Sequence, residues 1–237
     1  MPGPTVVLVH GAFADASSFR ALIPELLDSD VPVVAPAVPN RSLNGDAAYI
    51  ASVVRQIPGD VVLVGHSYGG AVITVAGIED NVRALVYLAG YALEEGESLG
   101  ELQGRFPDSD LATALVQTEF PLPGGETGVD VSVDPAKVHD VFAADVDPAI
   151  TRVLAVAQRP LAAAAFGEPA SAAAWKAKPS WGIVSTSDRT INPDVERFGY
   201  ERAGARVTEV DSSHLVMLSH PKESADVIRE AIRATAS

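Results

Sequence analysis

The amino-acid sequence predicts an α/β protein: a six-stranded parallel sheet flanked by helices, with a mostly helical cap inserted after the fourth strand. Three observations point there. Short β-branched apolar runs alternate with longer amphipathic segments, the rhythm of parallel strands and crossover helices. The runs are nearly continuous in apolar residues, as in strands covered on both faces. The rhythm breaks only between Tyr91 and about Lys178, where Gly and Pro punctuate the chain from Pro121 to Gly128 and again at Pro135.

The elements follow in order. Thr5–Val9 predicts the first strand and Ser17–Leu27 the first helix, with Ser17 or Ser18 as its cap. Val31–Ala35 predicts the second strand, and Asp46–Gln56 a helix capped by Asp46. Asp60–Val64, Tyr68–Ile78 and Val82–Leu88 predict strand, helix and strand. Beyond the break come strand Trp181–Thr186, helix Pro193–Ala203 opened by Asn192 and Pro193, strand Arg206–Val210 and helix Pro221–Ala234. Within the break, Val129–Val133 predicts a short strand, and the alanine-rich tract Leu161 to Trp175 suits close helix packing. The chain thus divides into a core, residues 1–90 and 179–237, and a cap or lid, residues 91–178.

Composition excludes several partners. With 17 basic and 31 acidic residues among 237, the formal net charge is −14. Such a body repels a phosphate backbone and anionic lipid, so neither nucleic acid nor membrane is expected. The absence of cysteine excludes disulfides, thiolate metal sites and a cysteine nucleophile, and points to the cytoplasm. Met1 to Pro4 carries no cationic leader, and Thr5–Val9 is too short for a signal core.

Chemistry concentrates at Gly65-His66-Ser67-Tyr68-Gly69, followed by Gly70. This is G-x-S-x-G between a predicted strand and a predicted helix. A serine at so sharp a turn takes a strained backbone, and the positions two residues either side must be small. A hydroxyl needs a base, and the base an orienting acid. Five histidines are available. His66 adjoins the serine and should point away from it; His10 organises the loop after the first strand; His139 lies in the cap and His220 at a helix start. His214 follows the last strand in a loop able to reach over the turn, so it is the candidate base. Asp188, directly after strand Trp181–Thr186, is the candidate acid. Asp211, three residues before His214, is its rival, and Asp194 has a sufficient explanation in the helix dipole. Acyl transfer also needs donors at a developing oxyanion. The backbone N–H of Tyr68 is one candidate and that of Ala12, beside the permissive Gly11, the other. Phe13 is the candidate substrate contact, while Phe142, Phe166 and Trp175 are candidate walls that packing explains equally well.

The order Ser67, Asp188, His214 resembles the α/β-hydrolase superfamily. Val7-Leu8-Val9-His10-Gly11-Ala12, the serine turn, Ser187-Asp188-Arg189 and Ser213-His214 through His220-Pro221 look most like the small serine esterase branch of plant methylesterases, hydroxynitrile lyases and bacterial esterase-like relatives. The resemblance implies a hydrolase that needs no cofactor or metal, whose insert lies over a Ser-His-Asp triad. The superfamily's extra antiparallel strands have no room before residue 5, so all six strands are expected to be parallel. The branch's lyases are similar in fold but place threonine and lysine where this chain has Gly11 and Leu215. Both departures favour ester hydrolysis. An aspartate nucleophile, as in dehalogenases, is ruled against by Ser67.

The expected function is cleavage of a small carboxylic ester or lactone through an acyl-enzyme. Hydroxynitrile lyase, perhydrolase or acyltransferase chemistry on the same residues, or non-catalytic binding of a small molecule, are the alternatives. The expected partners are a small neutral or cationic ester and a second copy of the chain in a homodimer.

Overall fold

A computed structural model describes residues 3–235; Met1 and Pro2, part of the leader reading, lie outside them. Six strands form the parallel sheet: β1 (Thr5–Val9), β2 (Val33–Val34), β3 (Val61–His66), β4 (Val82–Leu88), β8 (Ser180–Ser185) and β9 (Arg206–Val210). Their order is β2-β1-β3-β4-β8-β9. Every neighbouring pair is parallel. Between β4 and β8 a second, antiparallel sheet joins β5 (Leu115–Pro121), β6 (Thr127–Val133) and β7 (Leu161–Ala162).

The helices are α1 (Leu22–Leu27), α2 (Leu43–Arg55), α3 (Tyr68–Ala76), α4 (Leu99–Gln103), α5 (Val138–Phe142), α6 (Pro148–Val156), α7 (Ala164–Gly167), α8 (Pro193–Arg202), α9 (Val216–Ser219) and α10 (Pro221–Thr235). Burial explains why the central strands lack alternation: all six residues of β3 are buried, as are the last four of β1. Helix α3 packs on β3 and on α2, while α10 packs across β3, β4 and β8. The edge strand β9 differs. Its Arg206, Val207, Thr208 and Glu209 are all exposed, so the two-sided cover expected of every strand fails here.

Several local expectations are corrected. The second strand shrinks from Val31–Ala35 to two residues because Pro32 and Pro36 flank it and have no N–H for the ladder. The first helix splits into a 3₁₀ turn, Ala16–Phe19, and α1. Pro24 cannot donate to a continuing helix, so the helix restarts at Leu22 with Pro24 in its first turn. Neither Ser17 nor Ser18 caps it: Asp15 accepts from the Ser17 N–H at 2.7 Å. Likewise α2 begins at Leu43 and is capped by Ser42, leaving Asp46 inside its first turn. Asn192 and Pro193 do open α8. In the alanine tract only Ala164–Gly167 is α-helical, because Gly167 and Pro169 end the turn and Leu161–Ala162 pairs with β6 instead.

Candidate active site

Ser67 lies between β3 and α3 with φ 55° and ψ −124°, a left-handed conformation rare for a residue bearing a Cβ. The chain tolerates it because the turn is packed backbone against backbone. A Cβ on Gly65 would fall 2.4 Å from the Gly69 carbonyl oxygen, and one on Gly69 would fall 2.2 Å from that of Val9. Gly11 approaches from the β1 loop. A Cβ there would lie 2.7 Å from the Ser67 Cβ.

The loop after β9 carries His214 and the loop after β8 carries Asp188. The two meet: His214 Nδ1–H donates to Asp188 Oδ2 at 2.6 Å, and both side chains are wholly buried. Asp188 Oδ1 meanwhile accepts the N–H groups of Thr190 at 2.6 Å and Ile191 at 3.1 Å. With Nδ1 donating, Nε2 is the basic nitrogen, and it is buried without a hydrogen-bond partner. The rival carboxylates are engaged elsewhere. Asp211 accepts from the Ser187 hydroxyl at 2.6 Å, and Asp194 pairs with Arg197 at 2.9 Å.

The other histidines have their own partners. His10 accepts the Val38 N–H at Nε2 and donates from Nδ1 to the Gly11 carbonyl, each at 2.9 Å, which shapes the first-strand loop. His139 meets the Thr151 hydroxyl, and His220 meets that of Ser219. His66 does more than point away from the serine. Its Nε2–H donates to the His214 carbonyl at 2.9 Å, and its ring lies 4.6 Å from the His214 ring. Burial and the neighbouring His214 hold its pKa well below the ordinary imidazole value, so it supports His214 as a neutral ring.

The Phe13 N–H is taken by the Arg159 carbonyl at 3.0 Å. The Ala12 and Tyr68 amides have no protein acceptor among the described residues. Phe13, at φ 63°, sets its ring edge-to-face on Phe142, whose own ring is 5.0 Å from His214. Phe13 and Phe142, with Val133, Val138, Leu154 and Leu215, wall a small, largely apolar cavity of about 20 Å³, which neither Ser67 nor His214 lines. Of the remaining candidate walls, Trp175 is tied to the Leu93 carbonyl at 2.7 Å and Phe166 packs against the core, and neither lines the cavity.

Two neighbours escaped the reading of the sequence. Asp145, from the loop after α5, accepts the Ser213 N–H at 3.1 Å and the Ser213 hydroxyl, tying the His214 loop to the insert. Glu196, on α8, is 1% exposed and its carboxyl faces Asp188. No motif marks either residue: only the chain's folding brings them near.

A serine with strained backbone at a strand-to-helix turn of a parallel sheet, in a chain whose later strands are followed by a paired aspartate and histidine, points to the α/β class of hydrolytic folds. The chain belongs to the alpha/beta hydrolase family, whose sequence profile matches residues 6–227. It is 37% identical over 109 residues to a carbendazim hydrolyzing esterase from Nocardioides sp. (strain SG-4G), a match spanning 39% of this chain and 44% of that protein. Among solved structures, polyneuridine aldehyde esterase superposes with a TM-score of 0.83 at 18% identity, covering 96% of this chain and 98% of the other. Methylesterase MES16 from Arabidopsis gives 0.81 at 17%, covering 98% and 99%. No helix among the described residues is long and apolar enough to cross a membrane.

Proposed function

We propose that the protein hydrolyses a small carboxylic ester or lactone, with Ser67 as nucleophile, His214 as general base and acid, and Asp188 as the acid that orients His214. The observation that carries the reading is the buried His214–Asp188 contact at 2.6 Å, which leaves Nε2 as a basic nitrogen without a hydrogen-bond partner. Nε2 accepts the Ser67 hydroxyl proton as the oxygen attacks the acyl carbon. The negative charge that develops on the acyl oxygen is met by the N–H groups of Ala12 and Tyr68. Collapse breaks the bond to the leaving alkoxide, which takes the proton from Nε2. Water then repeats the sequence on the acyl-enzyme and releases the acid.

The esterase names of the relatives support this chemistry. So does Gly11, because the threonine of the lyase branch would bring its Cβ into that of Ser67. Phe142, whose ring lies 5.0 Å from that of His214, and Phe13 packed on it favour an ester with an uncharged aliphatic or aromatic group. The test is Ser67→Ala. Hydrolysis of p-nitrophenyl acetate should fall on the order of a million-fold while the far-ultraviolet circular dichroism stays unchanged. A fluorophosphonate probe should label the wild type and not the variant. Undiminished turnover in the variant would overturn the assignment.

A further inference from the structure

Glu196 is joined to the proposed acid through Ser185, whose N–H donates to Glu196 and whose carbonyl accepts the Asp188 N–H at 3.2 Å. It lies in the opening turns of α8, the helix that follows the Asp188 loop. Its Oε2 accepts the N–H of Ser185, at the end of β8, at 3.0 Å, and its Oε1 is buried with no partner. Two ionised carboxylates are both acceptors and cannot bond each other. Placed side by side away from water they repel strongly, and one of them must keep a proton. The donors decide which. Three converge on Asp188, from Thr190, Ile191 and His214, and one reaches Glu196. The proton therefore belongs on the carboxyl with fewer donors. Burial, followed by the charge of Asp188, holds the Glu196 pKa well above the usual carboxylate range.

Arg197, the cation acting on Glu196, turns outward to Asp194 at 2.9 Å and Glu209 at 2.7 Å. Tyr91 and Tyr200 face the pair as neutral phenols, both pushed upward by burial. Their hydroxyls are engaged with Gln103 and with the Gly90 N–H, both at 2.9 Å.

We infer that Glu196 is a positioning residue: as the neutral acid it donates its proton to Asp188 and fixes the carboxylate face that Asp188 turns to His214. This rests on the triad reading above. A glutamine would reproduce the arrangement, its amide donating to Asp188 and its carbonyl accepting from Ser185. Leucine, similar in size, would do neither.

The experiment compares Glu196→Gln and Glu196→Leu with wild type, using p-nitrophenyl acetate kinetics from pH 5 to 10 and infrared spectroscopy, with Ser67→Ala alongside. Glu196→Leu should lose about 10- to 100-fold in kcat with little change in KM, because a hydrogen bond to a charged group is removed. Its acid limb should move to higher pH as Asp188, without the donor, holds the His214 proton more tightly. Glu196→Gln should restore kcat to within about 3-fold of wild type, roughly a quarter to a half of the leucine variant's loss in free-energy terms. The wild-type minus Glu196→Gln infrared difference at pH 7 should contain a protonated-carboxyl stretch, a readout that survives even if the leucine variant fails to fold. Absence of that band, a folded leucine variant with wild-type kcat and pH profile, or a glutamine variant as impaired as the leucine one would each overturn the inference. Activity persisting in Ser67→Ala would overturn the triad reading, and this role with it; an inactive Ser67→Ala beside failed Glu196 outcomes would sink the Glu196 role alone.

Discussion

Asp188 and Asp211 lie on consecutive loops at the same end of the sheet, yet they do different work. Asp188 holds His214 Nδ1, whereas Asp211 holds the Ser187 hydroxyl. Replacing Asp188 with Asn should lower kcat on the order of ten-thousand-fold, because an amide favours the wrong imidazole tautomer. Asp211→Asn should stay within about 2-fold, as for a hydrogen bond at an exposed position. Steady-state kinetics on both variants decides between the two aspartates. Gly11 makes a second test at this scale. A methyl there would sit 2.7 Å from the Ser67 Cβ, so Gly11→Ala must displace the serine turn or its own loop. The expected cost is roughly 1–3 kcal/mol in urea denaturation, together with slower fluorophosphonate labelling of Ser67.

Among the elements, α2 shows how the insert and the core are joined. Glu168, just past α7, reaches the first turn of α2, where the Leu43 N–H donates at 2.6 Å, the Ser42 hydroxyl at 3.1 Å and the Asn44 side-chain amide at 2.9 Å. Burial by itself would raise the Glu168 pKa, but the Asn44 and Ser42 side chains and the Leu43 and Asn44 amides leave it net lowered from 4.5. A carboxyl whose folded pKa is lowered stabilises the fold above its unfolded pKa and loses that contribution as pH falls through the folded value. Thermal denaturation should thus show Tm dropping below about pH 4.5 in wild type, and Glu168→Gln should have a lower Tm at pH 7 and a shallower drop in acid. The same scale explains the misplaced boundaries. Pro24, Pro32 and Pro36 act through missing N–H groups, which a pattern of apolar residues does not register.

At the scale of the whole molecule, the net charge of −14 acts on approach rather than on chemistry. Hydrolysis of a choline ester should be favoured over a succinate half-ester of the same alcohol size. That ratio of kcat/KM should shrink as ionic strength rises from about 0.01 to about 1 M, where the screening length falls from about 30 to about 3 Å. A ratio indifferent to salt would show that the mouth of the cavity does not feel the body's charge.

The parallel sheet, its order of elements and the serine turn were legible because each depends on local chemistry. β-branched runs such as Val61–Val64 must be covered on both faces, and only glycine fits at 65 and 69. Asp188 and His214 could be singled out, since each follows a strand in a position a loop could exploit. Their pairing was expected, but Glu196 near Asp188, Asp145 against Ser213, and the strands β5 and β7 that pair with the expected Val129–Val133 strand were not. Asp145 and Ser213 lie 68 residues apart, and Glu196, though it follows Asp188 closely, meets it only through the path of the loop into α8; packing of loops onto one end of the sheet unites them. A residue's chemical type is written where it stands, but its electrostatic role depends on which distant groups share its buried space.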